Sequence, residues 1–139
     1  MTDKKVRQGT AAWFEMVGKL MRDAATQAGL SPDLNVSLVE HYTDGTTLAD
    51  GLVQGIRLDI RKGAFSFSVG ARPDEQADIK VALTAAAART LNTLYSADPV
   101  YRATRDAFLE SGEMRVEGDA ARFGAWFDTV HDPIVDRTS

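Results

Sequence analysis

The sequence has no cysteine at any of its 139 positions. Disulfides, thiolate metal ligands, thiol nucleophiles and cysteine-ligated iron–sulfur clusters are therefore excluded. Long apolar runs are also missing, because no stretch approaches the roughly 20 residues that a membrane-spanning helix needs. Gln8, Glu15 and Lys19 interrupt the N-terminal region, which leaves no hydrophobic segment typical of a signal peptide. We therefore expect a cytoplasmic protein that has no membrane span.

Clustered positive charge is scarce. The chain has 16 Lys and Arg against 20 Asp and Glu, for a net charge of −4, and its tight basic cluster consists of Lys4, Lys5 and Arg7. Nucleic-acid binding depends on clustered basic side chains that neutralise phosphates. The acidic balance therefore predicts no nucleic-acid partner, and we interpret the three basic residues as a solvated terminus.

Patterns typical of catalysis and metal binding are missing as well. The sequence contains no HExxH motif, calcium loop or phosphate loop, and no serine occupies a nucleophile-elbow pattern. A Ser-His-Asp triad assembled in space stays open as an alternative. His41 follows Glu40 in a predicted strand, where neighbours face opposite ways, and His131 suits the dipole at the end of the last predicted helix. We predict no catalytic residue, no cofactor and no metal site.

The residues that are present predict one globular domain over 1–139, since 44% are hydrophobic and 26% are charged. Apolar residues at three-and-four spacing predict a helix over about 10–29, with Thr10 as its N-cap and Gly29 as its stop. Alternating apolar residues then predict strands over 34–38, 56–60, 65–69, 79–83 and 114–116. The Lys62-Gly63 turn joins the second and third of these strands into a hairpin, and residues 43–51 are predicted as a loop.

Three more helices follow from the pattern. They cover about 84–95, 98–110 with Val100 and Phe108 on its inner face, and a last helix through Val130 that Pro133 ends. Strands and helices do not alternate regularly, which argues against a doubly wound fold. We therefore predict an α+β fold, with a five-stranded antiparallel-rich sheet and helices covering one of its faces.

Three stretches carry a resemblance to a known family. They are residues 56–67 (IRLDIRKGAFSF), 77–84 (ADIKVALT) and 108–119 (FLESGEMRVEGD). In order and spacing they resemble the sterol carrier protein 2 (non-specific lipid-transfer protein) domain family. The resemblance implies a five-stranded sheet under helices that enclose an apolar tunnel for fatty acyl chains, sterols or similar molecules, with no catalytic residue and no cofactor.

Two departures from the family pattern bear on that implication. The segment 95–112 is longer than usual, which affects the size and shape of the tunnel. The sequence ends in Arg137-Thr138-Ser139, without the peroxisomal tripeptide of some members. The resemblance therefore gives no reason to propose peroxisomes.

The resemblance implies a non-catalytic protein that binds or carries an apolar small molecule of the fatty acyl, sterol or quinone-like class. Large apolar side chains of the predicted strands and helices would line the tunnel: Phe65, Phe67, Leu91, Leu94, Tyr95, Phe108, Met114, Phe123, Trp126 and Phe127. The alanines 85–88 would leave room for a ligand. We place a polar head group near Tyr101, Arg102 or Arg105.

An alternative function stays open from the sequence. The chain could be an accessory or dimerisation module with a filled core, serving a partner in lipid or quinone metabolism. Trp13 and Phe14 are adjacent on the first predicted helix, about 100° apart, so they do not both fit a narrow apolar stripe. An exposed aromatic ring there would favour a homodimer or a partner protein bound through the N-terminal helix.

Overall fold

The computed structural model of the protein describes residues 4–139, so the first three positions of the predicted domain lie outside it. Within the described range the regular elements are, in chain order, α1 (Ala11–Ala28), β1 (Val36–Tyr42), β2 (Thr47–Ala49), β3 (Leu52–Arg61), β4 (Ala64–Ala71), β5 (Ile79–Leu83), α2 (Ala85–Leu91), α3 (Pro99–Ser111), β6 (Met114–Glu117), two 3-10 turns (Ala120–Phe123 and Ala125–Val130) and α4 (His131–Asp136). No helix in this range is long and apolar enough to cross a membrane.

The six strands form one mixed sheet. β3 pairs antiparallel with β1, β2 and β4, while β1 pairs parallel with β5, and β5 pairs antiparallel with β6. The predicted α+β class is confirmed, with two differences in detail. The loop predicted over 43–51 contains β2, because Gly51 adopts φ 71° and returns the chain so that Thr47 pairs with Val53. The β1–β5 pair is parallel, so the sheet is mixed.

The first helix begins and ends where the sequence predicts. The Thr10 hydroxyl accepts a hydrogen bond from the Trp13 backbone N–H at 3.1 Å, which satisfies one of the free donors of the first turn. Gly29 ends the helix in the left-handed region at φ 65°.

Replacing Thr10 by alanine removes this cap, and we expect it to lower the free energy of unfolding by about 1 kcal/mol. Thr26 lies exposed on the same helix, and its hydroxyl donates only to the Arg22 carbonyl oxygen. Thr26→Ala is therefore the matched control, for which we expect an unchanged or slightly raised stability. Urea unfolding followed by circular dichroism compares the two, and an equal effect would contradict the capping role.

One face of α1 packs on β3 and β4. Trp13 and Phe14 are 3% and 0% exposed, and their rings meet edge to face with ring centres 5.0 Å apart. Both rings therefore fit the core, and the exposed aromatic that would favour a partner at this helix is absent. Gly18 faces the Phe67 ring so closely that a Cβ atom would overlap it. The missing side chain thus lets α1 lie directly on the sheet.

The inner face of the sheet is the face that α1 covers. Leu38 of β1 stands in register with Leu58 of β3 and Ile79 of β5, and all three are at most 3% exposed. The strand alternation read from the sequence predicts this face correctly. On the opposite face Arg57 forms ion pairs with Asp59 at 3.0 Å and Glu75 at 2.8 Å, so that face is polar.

The C-terminal part of the chain differs from the predicted helices. α2 ends at Leu91 rather than near Tyr95. The single last helix is instead two 3-10 turns followed by α4, and Pro133 lies inside the first turn of α4. Proline is tolerated there because first-turn N–H groups have no partner in the helix. His131 therefore begins a helix, and the predicted role at a helix C-terminus was wrong.

Candidate apolar-ligand site

A row of four side chains crosses the inner face of the sheet. Ile56, Glu40, Val81 and Val116 pair in register on β3, β1, β5 and β6. Because paired residues share a face, all four point toward the helices. Ile56 and Val81 are 3% and 8% exposed, whereas Val116 is 40% exposed. The inner layer is therefore open at the sheet edge formed by β6.

The helix beside this open edge is α3. It contacts β6 and α2 and buries none of its residues. The predicted inner position Val100 is 53% exposed, and Leu109 is 41% exposed. Phe108 is half-buried in the last turn of the helix, just before β6 begins. We call Phe108 and Leu109 of α3, together with Met114 and Val116 of β6, the β6 edge, a group of apolar side chains that are half-buried or exposed where α3 leads into β6.

The ten side chains predicted to line a tunnel fall into three classes of exposure. Leu91, Phe123 and Trp126 are buried, and Tyr95 is 49% exposed. The half-buried class has six members: Phe65, Phe67, Leu94, Phe108, Met114 and Phe127. Their role in ligand binding stays a prediction.

Four of the ten side chains, all aromatic, form one cluster. Trp126 makes edge contacts with Phe65, Phe123 and Phe127, with ring centres 6.2, 6.2 and 5.8 Å apart. Phe123 stacks on Phe127 with ring centres 5.2 Å apart. Such pairs are the packing expected inside a core. The indole N–H of Trp126 is buried and finds no acceptor among residues 4–139. This cluster packs the 3-10 turns against β4.

Tyr95 lies in the link between α2 and α3 rather than on a helix. Its hydroxyl donates a hydrogen bond to Asp136 at 2.6 Å, and this bond, with the charge of the carboxylate, raises the pKa of Tyr95. His131 donates through Nε2 to the Leu94 carbonyl oxygen at 2.7 Å, and Ser96 donates twice to Asp132. These contacts fix the link to α4.

The three residues predicted to lie near a polar head group, Tyr101, Arg102 and Arg105, do not all face the same way. The Tyr101 ring lies 4.4 Å from the His131 ring, and the Arg105 guanidinium lies 5.8 Å from the Tyr101 ring centre. Both side chains are half-buried, whereas Arg102 is exposed. The Arg105 Nε atom is buried without an acceptor in the described part of the chain. Tyr101 and Arg105 thus pack toward α4, and Arg102 faces solvent.

Glu40 is a polar residue on the inner face of the sheet, and it is not among the site residues predicted from the sequence. Burial raises the pKa of its carboxyl from 4.5 to about 7. Tyr42 lies two residues further on the same face, is 1% exposed, and accepts a hydrogen bond from Gln8 Nε2 at 2.6 Å. Glu40 follows the apolar Val36 and Leu38 at a spacing of two residues, and this spacing was the signal that places it on the same inner face.

His41 does not form an acid–base pair with Glu40, as the alternation predicts. Burial lowers the pKa of His41, and the charges of Lys80 and Arg115 lower it further. Across residues 4–139, no three His, Cys, Asp or Glu side chains come together in a way that could hold a metal ion.

Two open clefts lie away from the β6 edge. One, of about 420 Å³, lies beside the start of α1 and includes Arg7, Gln8 and Arg89. The other, of about 310 Å³, lies on the polar face of the sheet and includes Arg57 and Asp78. None of the ten residues predicted for the tunnel lines either cleft.

Comparisons with solved structures find the same fold in proteins that are named as sterol carrier proteins or as possible ones. The solution structure of a conserved hypothetical protein from Thermus thermophilus, described as possibly a sterol carrier protein, matches with a TM-score of 0.54 and 13% identity, over 96% of this chain and 91% of that chain. A crystal structure of sterol carrier protein 2 matches with a TM-score of 0.53 and 14% identity, over 94% of this chain and 98% of that chain. No family model and no curated protein matches the sequence. The resemblance found in the sequence is thus confirmed in three dimensions: the chain has the fold of sterol carrier protein 2.

Proposed function

We propose that the protein binds an apolar small molecule of the fatty acyl, sterol or quinone-like class without chemically changing it. The observation that carries this proposal is Val116, which points into the inner layer yet is 40% exposed. The ligand enters at the β6 edge, between α3 and the sheet. The solved structures of the same fold include one named sterol carrier protein 2, which supports a carrier function.

The binding energy comes from removing apolar surface from water. Each buried methylene of the ligand contributes about 0.8 kcal/mol, so a long acyl chain or a sterol ring system binds without strong polar contacts. The ligand also covers Val116 and Leu109, which are 40% and 41% exposed. The half-buried Phe108 and Met114 form the entrance, and the predicted tunnel extends from them toward the alanines of α2.

The first test is native mass spectrometry of freshly purified protein, followed by organic extraction of the bound molecule. We expect a stoichiometric apolar ligand, and its mass identifies its class. An empty monomer that also fails to bind a fluorescent fatty acid would contradict the proposal and leave a filled core. An empty dimer would contradict it as well, in favour of the accessory-module function.

Replacing Val116 by glutamate tests the entrance. A charge at this position makes burial of an apolar ligand costly, and we expect the affinity for cis-parinaric acid to fall at least tenfold in a fluorescence titration. Val100→Glu is the matched control, because Val100 is 53% exposed and lies at the other end of α3. Equal effects of the two variants would exclude the β6 edge as the entrance.

A further inference from the structure

Glu40 is placed where a charged side chain is least expected. Its register partners Ile56 and Val81 are both core residues, at 3% and 8% exposure. Glutamate in such a position normally has a cation or hydrogen-bond donors beside it. Among residues 4–139, no side chain or backbone group donates a hydrogen bond to the Glu40 carboxyl, and no Lys, Arg or His lies within ion-pair distance. The carboxyl is thus a polar group without a protein partner.

Solvent reaches part of the Glu40 side chain. Glu40 stays half-buried although both of its neighbours in the row are buried. The small side chains of Ala85 and Ala88, at the start of α2, pack in or against the same core. The row Glu40, Val81 and Val116 therefore runs from a polar group in the inner layer to the open β6 edge.

We propose that Glu40 is the polar contact of the ligand site, and that its carboxyl group donates a hydrogen bond to a neutral hydroxyl or carbonyl oxygen of the bound molecule. This inference rests on the proposed function and narrows it to apolar alcohols and ketones, the chemistry of sterols and quinones. It follows from a carboxyl without a protein partner on β1, two strands in from the β6 edge along the same row.

The same arrangement disfavours a fatty acid whose head group reaches Glu40. A fatty carboxylate buried there would place a second acidic group beside the first without a cation to compensate it. Burial raises the pKa of Glu40 to about 7, so at neutral pH a large fraction of the protein carries the protonated, hydrogen-bond-donating form. A fatty acid would bind with its carboxylate at the mouth, out of contact with Glu40.

The test compares two ligands on three forms of the full chain. The ligands are dehydroergosterol, a fluorescent sterol with one hydroxyl group, and cis-parinaric acid, a fluorescent fatty acid. The variants are Glu40→Leu, which removes the polar contact, and Glu40→Gln, which keeps a hydrogen-bond donor. We expect Glu40→Leu to weaken sterol binding about tenfold, the size of one hydrogen bond to a buried polar group. Glu40→Gln should retain sterol affinity within about threefold, and neither variant should weaken fatty-acid binding.

The outcomes separate this inference from the proposed function. Equal sterol affinity of the unmodified protein and Glu40→Leu would overturn the inference, as would equal loss of both ligands. Binding of the fatty acid but not the sterol by the unmodified protein would also overturn it, while leaving the proposed function intact. If the unmodified protein binds neither ligand, the proposed function and the inference both fail. Thermal unfolding of each variant checks that a loss of binding is not a loss of folding.

Discussion

Replacing Gly55 by alanine is expected to lower the free energy of unfolding by about 3 kcal/mol. Gly55 lies in β3 opposite His41 of β1, and a methyl group there would overlap the Glu40 carbonyl oxygen. It would also lie 3.0 Å from the Ala71 Cβ atom and 3.1 Å from the His41 Cα atom. Backbone atoms cannot rotate away as a side chain does, so β1 and β3 must separate. Urea unfolding measures the loss.

Gly112→Ala is the control for this variant. Gly112 ends α3 at φ 85°, and a methyl group built on it meets no atom within 4 Å. Its replacement therefore costs only the backbone strain of a left-handed alanine, about 1 kcal/mol. A Gly55→Ala variant that is no less stable than Gly112→Ala would show that β1 and β3 are not held together at this point. Gly55→Ala would also shift Glu40, and we therefore expect this variant to bind sterol more weakly.

Local signals predicted most of the fold. Thr10, Thr84 and Asp98 each cap a helix through the side chain, as Ser, Thr and Asp do in general. The alternation in β1, β3, β4 and β5 predicts which side chains face the helices, and the short turn at Lys62-Gly63 leaves a hairpin as the pairing of β3 with β4. These features depend on residues close in sequence, which is why sequence reasoning finds them.

The C-terminal region shows what local signals miss. The apolar spacing of Phe123, Trp126 and Val130 fits a helix, but the chain there forms 3-10 turns. Gly124 adopts φ 107°, which breaks the helix between the two turns. The turns place the rings of Phe123 and Trp126 against each other, with Trp126 reaching Phe65 of β4. That contact joins residues about sixty positions apart, so no local pattern reveals it.

The candidate site was predictable in part for the same reason. Large apolar side chains in the sequence identify residues of the inner layer. Their size and apolarity do not distinguish core residues such as Phe123 from residues of the proposed entrance such as Met114. That difference depends on how α3 lies beside β6, which is a long-range arrangement. Val116 and Glu40 were accessible to sequence reasoning through strand alternation. A choice by size and apolarity passes over them because one is small and the other is polar.

Glu40 should also control how stability depends on pH. The pKa of its carboxyl is about 7 in the folded protein against an ordinary value of 4.5. Below pH 4.5 the carboxyl is protonated in both states and has no effect. Between pH 4.5 and 7 the unfolded chain loses this proton while the folded chain keeps it, so the free energy of unfolding falls as pH rises. Above pH 7 the destabilisation is constant.

Glu40→Gln is therefore expected to be more stable than the unmodified protein at pH 8 by about 2 kcal/mol, and equally stable at pH 4.5. The interval from 4.5 to about 7 corresponds to about 3 kcal/mol, and the partial contact of the side chain with solvent reduces this. Urea unfolding of both proteins at pH 4.5, 6, 7 and 8 measures the difference, in which the contributions of all titratable groups common to the two proteins cancel. Glu110→Gln, at an exposed position of α3, is the control, and we expect its stability to follow that of the unmodified protein at each of these pH values. A stability difference for Glu40→Gln that is the same at every pH would contradict a raised pKa of the unpaired Glu40 carboxyl, and with it the protonated group on which sterol selection depends.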